Sequence, residues 1–185
     1  MKQDKITSDA LIDAAGVVLR PVVQSDRGLL KMYTADKRVS EMTSSIPHPL
    51  PPGATTAFID RAIALSGDRT EAIWVIDGSS SDLPEVLGIV SLKTMDRDQS
   101  ELGMWVAPTF WNTGIATRAV EALMESNPLN NKTIFAGVFQ DNPGSARVLT
   151  KCGFEYLGDA EAFSIARDAK VNTWTYIKKM DANNG

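Results

Sequence analysis

The sequence predicts a single domain of mixed α/β class, and three observations carry that expectation. Apolar residues alternate, or form short continuous runs, in seven segments, and recur at helical spacing in four others. The segments run strand, two helices, three strands, helix, strand, helix, two strands, which suits a mostly antiparallel sheet with helices on both faces. The strand ending at Val106, the helix after Gly114 and the strand from Lys132 make one parallel crossover, expected to be right-handed.

In chain order, "GVVLRPVV" (16–23) reads as the first strand, stopped by Ser25 and Asp26, which suit the cap of a helix running to about residue 42. "SSIPHPLPPG" (44–53) is a stiff, proline-rich loop. "ATTAFIDRAIAL" follows as a helix, with Phe58, Ile59, Ala62 and Ile63 expected on its buried face. "AIWVID" and "EVLGIVSLKT" read as an antiparallel pair, and "SELGMWVAP" as a strand ended by Pro108. Ala116, Ala119, Val120 and Leu123 form the apolar stripe of the next helix, and "KTIFAGVF" suits a buried central strand. Asn142 suits the cap of the last helix, Pro143 its first turn and Gly153 its end. Strands around "FEYLGDAE" and "VNTWTYIKKM" complete the sheet. Residues 1–15 are expected to be an extension, 16–180 one domain and 181–185 a tail.

Composition narrows the function. The 185 residues are enough for one well-buried core. A net charge of −4 argues against an extended nucleic-acid or anionic-membrane surface. A single cysteine, Cys152, and a single histidine, His48, leave no disulfide and no His- or Cys-rich metal site, so no metal is expected. Asp4, Asp9 and Asp13 around "ALIDAAGVVL" are wrong for a secretory leader, and no apolar run reaches the ~20 residues of a membrane span. A cytoplasmic protein, monomer or homodimer, is expected.

"FWNTGIATRA" (110–119) carries the most chemistry. A helix start exposes about four backbone N–H groups and roughly half a positive charge, which suits phosphate. Gly114 has no side chain and Ala116 a minimal one, so an anion can approach the main chain. On these residues alone, Gly114 reads equally well as a simple strand-to-helix turn. A nucleotide P-loop fails because Ile115 stands where lysine is needed, and a dinucleotide fingerprint fails for want of two more glycines.

"ELGMWVAPTFWNTGIATRAVEAL" followed by "FQDNPGSARVLTKCGFEYLG" resembles the GNAT superfamily of acetyl-CoA-dependent N-acetyltransferases, in its RimJ/RimL-like branch. "LRPVVQSD", "IPHPLPP" and "TWTYIKK" extend the likeness over about residues 16–180. The superfamily's pyrophosphate loop is Gln/Arg-x-x-Gly-x-Gly/Ala, and Trp111 to Ala116 departs from it only in having Trp111 first. The resemblance implies the acyl-CoA N-acyltransferase fold, with acetyl-CoA as co-substrate and a primary amine as acceptor. It places coenzyme A against Asn112, Thr113, Gly114, Ile115, Ala116 and Thr117, along the strand edge Met104–Trp105–Val106, and near Asn142 and Ser145. Arg118 and Arg147 are candidates for cofactor phosphates.

The resemblance also exposes gaps. The tyrosine acid that some relatives place seven residues after the asparagine is Leu149 here, and a glutamate five residues before it is Gly137. Ser145 is then the candidate acid and Glu101 the first candidate base, with His48 the second, and His48 and Trp105 are assigned to the acceptor site. An α-amine near pKa 7.8 is roughly a quarter neutral at pH 7.4, a lysine near 10.4 only about one part in a thousand. A site without a strong base therefore favours an α-amine on a protein, peptide or small molecule. The rival expectation is a catalytically weak coenzyme-A-binding sensor or assembly protein. Phe58 and Trp74 are assigned to the core, and Cys152 is not expected to act as a nucleophile.

Overall fold

The computed structural model describes residues 11–65, 68 and 70–181, so residues 1–10 of the expected extension and 182–185 of the expected tail lie outside it. The strands are β1 (Ile12–Asp13), β2 (Val18–Pro21), β3 (Glu71–Asp77), β4 (Gly88–Met95), β5 (Gln99–Val106), β6 (Thr133–Phe139), β7 (Glu155–Ser164) and β8 (Ala169–Lys179). The helices are α1 (Arg27–Thr34), α2 (Lys37–Ser40), α3 (Ala54–Ala64), α4 (Ile115–Ser126) and α5 (Pro143–Lys151). One sheet runs in the order β1-β2-β3-β4-β5-β6-β8-β7. Every neighbouring pair is antiparallel except β5–β6.

Strand alternation builds two cores. On β3, Ala72, Trp74 and Ile76 face the side covered by α4 and α5, while Ile73 and Val75 face the side holding α1 and α3. Ala119, Val120 and Leu123 of α4 are fully buried against the first face, joined by Ile115. Trp74 is core, as its position in an apolar run implies.

Four local expectations change. The helix from residue 26 is broken: α1 ends at Thr34, and Asp36 restarts the chain as α2 by accepting from Arg38 N at 2.9 Å. Asp26 does not cap α1 with its side chain; its carboxylate is held by Arg20 at 2.8 and 3.0 Å and by Val23 N at 2.9 Å. On α3 the buried residues are Thr55, Ile59 and Ala62, whereas Ile63 is exposed and Phe58 half-buried, a stripe shifted from the expected one. The sheet also starts earlier, since Ile12 and Asp13 pair with Leu19 and Val18.

The parallel pair positions the site. β5 pairs with β4 along its whole length but with β6 only through Gln99–Glu101 against Thr133–Phe135. Beyond Glu101 the two strands part, while β6 continues on β8 to Phe139. A wedge therefore opens in mid-sheet, with Leu102–Val106 unpaired on the β6 side.

Candidate functional site

The loop after β5 folds back before it starts α4. Trp111 donates its indole N–H to the Val106 carbonyl at 2.7 Å, and the Thr113 hydroxyl donates to the Phe110 carbonyl. Asn112 (φ 60°) and Gly114 (φ 80°) both take the left-handed conformation, and the whole stretch Trp111–Thr117 lines one cleft. The first intrahelical bond is Arg118 N to Gly114 O at 3.0 Å, so the N–H groups of Ile115, Ala116 and Thr117 have no partner within the helix. A Cβ built on Gly114 would meet nothing within 4 Å. Glycine is thus favoured by its backbone angle, and the space it faces is open, as an anion cradle needs.

This loop walls a cleft of about 510 Å³, into which Arg38, Arg147 and Lys151 also bring positive charge. Only Arg147 of these was expected. Lys151 stands four residues later on the same helix face, a spacing that could have revealed it. Arg118 does not line the cleft: its guanidinium reaches back to the Ala15 carbonyl at 2.9 Å, tying α4 to the turn between β1 and β2.

A second cavity of about 930 Å³ lies on the other side of the wedge, beneath the segment 42–50. Both spaces are lined by Met42, Met104, Trp105, Asn142 and Ser145, so these five mark where they meet. Asn142 caps α5, its Oδ1 accepting from Ser145 N at 3.3 Å, and its Nδ2 donates to Ser145 Oγ at 3.0 Å. The serine oxygen is then an acceptor toward Asn142 and can give its own hydrogen elsewhere.

The strand edge needs one correction. Ala107 N donates to Leu87 O at 2.8 Å, so alternate residues back along β5, Trp105 among them, bond to β4. Met104 and Val106 instead turn their N–H and C=O groups toward the wedge, and Trp111 occupies the Val106 carbonyl. Trp105 meets the site through its ring, which packs edge-on against Tyr33 with centroids 6.3 Å apart. Glu101 lines the larger cavity where β5 and β6 diverge. His48 lines neither space, although Ile46, Pro47 and Leu50 line the larger one; its Nδ1 is buried without a hydrogen-bond partner. Leu149 is fully buried in the core and Gly137 borders the larger cavity.

Cys152 lies away from both spaces, its Sγ donating to the Thr117 carbonyl at 3.6 Å. Burial, with the nearby Glu121 carboxylate, pushes its thiol up to about 11. The native protein is expected to resist a thiol-blocking reagent and keep its activity; modification within minutes without unfolding would contradict this. Among the described residues no group of three or more His, Cys, Asp or Glu is arranged to hold a metal, and no helix is long and apolar enough to cross a membrane.

A bare helix start at the mouth of a splayed parallel pair, with a second cavity meeting it, is the frame of an acyl-CoA-dependent transferase. The chain belongs to the GNAT acetyltransferase domain family, whose model matches residues 17–155. It is an acetyl-CoA-dependent N-acetyltransferase. No curated protein sequence matches it. Among solved structures it is similar to Mycobacterium smegmatis RimJ in complex with CoA-disulfide, at 17% identity and TM-score 0.80 over 97% of this chain and 92% of that one. It is similar to the ribosomal-protein-S5-alanine acetyltransferase of Vibrio fischeri at 20% identity and TM-score 0.77, covering 94% and 98%. The spermidine N-acetyltransferase of Vibrio cholerae, in complex with CoA and spermine, matches at 16% identity and TM-score 0.75 over 91% and 98%.

Proposed function

We propose that the enzyme acetylates an α-amino group, on a protein, peptide or small molecule of the cytoplasm, by direct attack of the neutral amine on the thioester. The meeting of the two cavities at the Asn142–Ser145 pair is the observation that carries this reading. Acetyl-CoA supplies an activated acyl carbon and a thiol leaving group. The N–H groups of Ile115, Ala116 and Thr117 hold the diphosphate, with Asn112, Thr113 and Gly114 shaping the loop. Val106 N–H and the main chain of Met104 bind the amides of the pantetheine arm as a neighbouring strand would. Ser145 gives its proton to the departing sulfur as the carbon–sulfur bond breaks, and regains one from solvent. Glu101, through water, takes the proton that the new amide nitrogen sheds.

The fit of the site to coenzyme A supports this reading: an open concavity of main-chain donors at Gly114, with three cationic side chains on its rim. The larger cavity brings no histidine to the amine, and Glu101 is solvent-exposed, which favours an acceptor already partly neutral. The similar proteins act on differing amines by their names, a ribosomal-protein alanine and spermidine, so the acceptor must be read from this chain.

Thiol release from acetyl-CoA should be measured against peptides with open α-amines and against lysine-blocked and N-terminally blocked controls. Acetylation of α-amines is expected; acetylation of ε-amines alone would overturn the acceptor assignment, and cofactor binding without turnover on any amine would point to the sensor. Ser145→Ala is expected to lower kcat about 30-fold with the acetyl-CoA KM within threefold. That is milder than the ~10²-fold usual for a general acid, because a thiol near pKa 8.5 leaves with little help.

A further inference from the structure

The tip of the β7–β8 hairpin bonds to two segments that border the site, one at Glu41 and Ser44 and the other at Asp141. Arg167 donates from Nε and Nη2 to the Glu41 carbonyl at 2.9 and 2.6 Å. The same guanidinium holds both Asp141 carboxylate oxygens, Nη1 to Oδ2 at 2.6 Å and Nη2 to Oδ1 at 3.1 Å. Its carbon lies 5.0 Å from the centre of the buried Phe139 ring, and Arg167 N donates to the hydroxyl of the fully buried Ser164 at 3.2 Å. Ile165 N adds a bond to the Ser44 carbonyl at 3.1 Å. One side chain thus joins segments 126 and 26 residues away in sequence.

Each gripped segment leads directly into the site. Glu41 and Ser44 flank Met42 and Thr43 at the head of the stretch that roofs the larger cavity. Asp141 immediately precedes Asn142, whose amide orients Ser145. We propose that Arg167 is a positioning residue that clamps the acceptor-side roof and the Asn142–Ser145 turn in register, so that amine and thioester meet. The proposal rests on the reading that Ser145 and the larger cavity serve transfer. Two carboxylate oxygens and a carbonyl, gripped by one planar group with a ring beneath it, need a guanidinium; an ammonium offers no such fork.

Three variants test the clamp by steady-state kinetics with saturating partner substrate and by thermal melting. Arg167→Met is expected to raise the acceptor KM about tenfold and to lower kcat about tenfold, with the acetyl-CoA KM within twofold. Arg167→Lys should recover less than a third of the lost kcat. Asp141→Asn, which keeps the Glu41 contact, should lower kcat about threefold with the acceptor KM unchanged. The clamp is overturned if Arg167→Met leaves kcat and acceptor KM within twofold of wild type. It is equally overturned if both substrates' KM values rise together, or if lysine restores full activity. Should Arg167→Met fail to fold, the Lys and Asn variants carry the same split. Ser145→Ala separates the two readings: a silent Ser145→Ala removes the site assignment, whereas an impaired Ser145→Ala beside a silent Arg167→Met removes the clamp alone.

Discussion

Gly114→Asp is expected to weaken acetyl-CoA binding about 100-fold while the protein stays folded. The backbone at residue 114 has φ 80°, a conformation that aspartate and asparagine tolerate better than other non-glycine residues. A side chain there enters open space rather than protein, since a Cβ meets nothing within 4 Å. The carboxylate would then share the cradle with the diphosphate. At an effective dielectric near 20, two unit charges about 5 Å apart repel by about 3 kcal/mol, and about 2.7 kcal/mol corresponds to about 100-fold in affinity. Gly114→Asn is the neutral control: it carries the same bulk and backbone demand, and should cost no more than about tenfold. Isothermal titration with acetyl-CoA at two salt concentrations checks both variants. If the two lose affinity equally, or if the Asp penalty does not shrink with salt, the cradle does not hold phosphate by charge.

Much of this arrangement was legible because local rules decide it. Period-two and period-3.6 patterns located the major strands and three of the helices, and Asn142–Pro143 announced the start of α5. The left-handed turn at Gly114 was legible because such a turn favours glycine, whereas its reading as an anion cradle rested on the family resemblance. What failed was decided at longer range. The exception is the break at Ala35–Asp36, which is local: Asp36 accepts from Arg38 N and starts a new turn inside the expected helix. Trp105 lies in a strand whose register, set by Gly88↔Val106, turns its main chain to β4, and one sequence alone does not fix register. Arg118 stands on the cradle helix, yet the Ala15 carbonyl captures it from 103 residues away. His48 sits in the loop that roofs the acceptor cavity but on a position that does not line it. The grip of Arg167 on Glu41 joins residues no local pattern relates, which is why the hairpin tip carried no sequence signal.

Acid sensitivity follows from the same side chains. Hydrogen bonding to Arg167 outweighs burial and holds Asp141 below the usual carboxylate range. At Asp77 burial acts upward, but hydrogen bonds from Ser79 and Arg20 outweigh it and the group is again lowered. A carboxylate lowered by folding contributes its stability above the unfolded value near 4 and loses it as pH falls through the lower folded value. The loss of stability is therefore expected below about pH 4, and chemical denaturation between pH 3 and 7 would reveal it.

The largest loss of stability is expected from Arg20→Met. All five guanidinium hydrogens are engaged: Nε with Asp77 at 2.6 Å, Nη1 with Pro21 O and Asp26, Nη2 with Asp26 and Glu85 O. Asp26 is only 1% exposed, and apart from Arg20 its carboxylate accepts from Val23 N at 2.9 Å. Removing the cation strands a buried charge, which costs about 3–5 kcal/mol. At roughly 2–4 °C per kcal/mol for a chain of this size, the melting temperature should fall by about 6–20 °C. Methionine keeps most of the side-chain volume, so the loss reports charge and hydrogen bonding rather than a cavity. Adding Asp26→Asn should return at least half of it, because asparagine still accepts from Val23 N and leaves no uncompensated charge. Were the double variant less stable than Arg20→Met alone, the stranded carboxylate would not be the cause, and the bonds to Asp77, Pro21 and Glu85 would have to supply it.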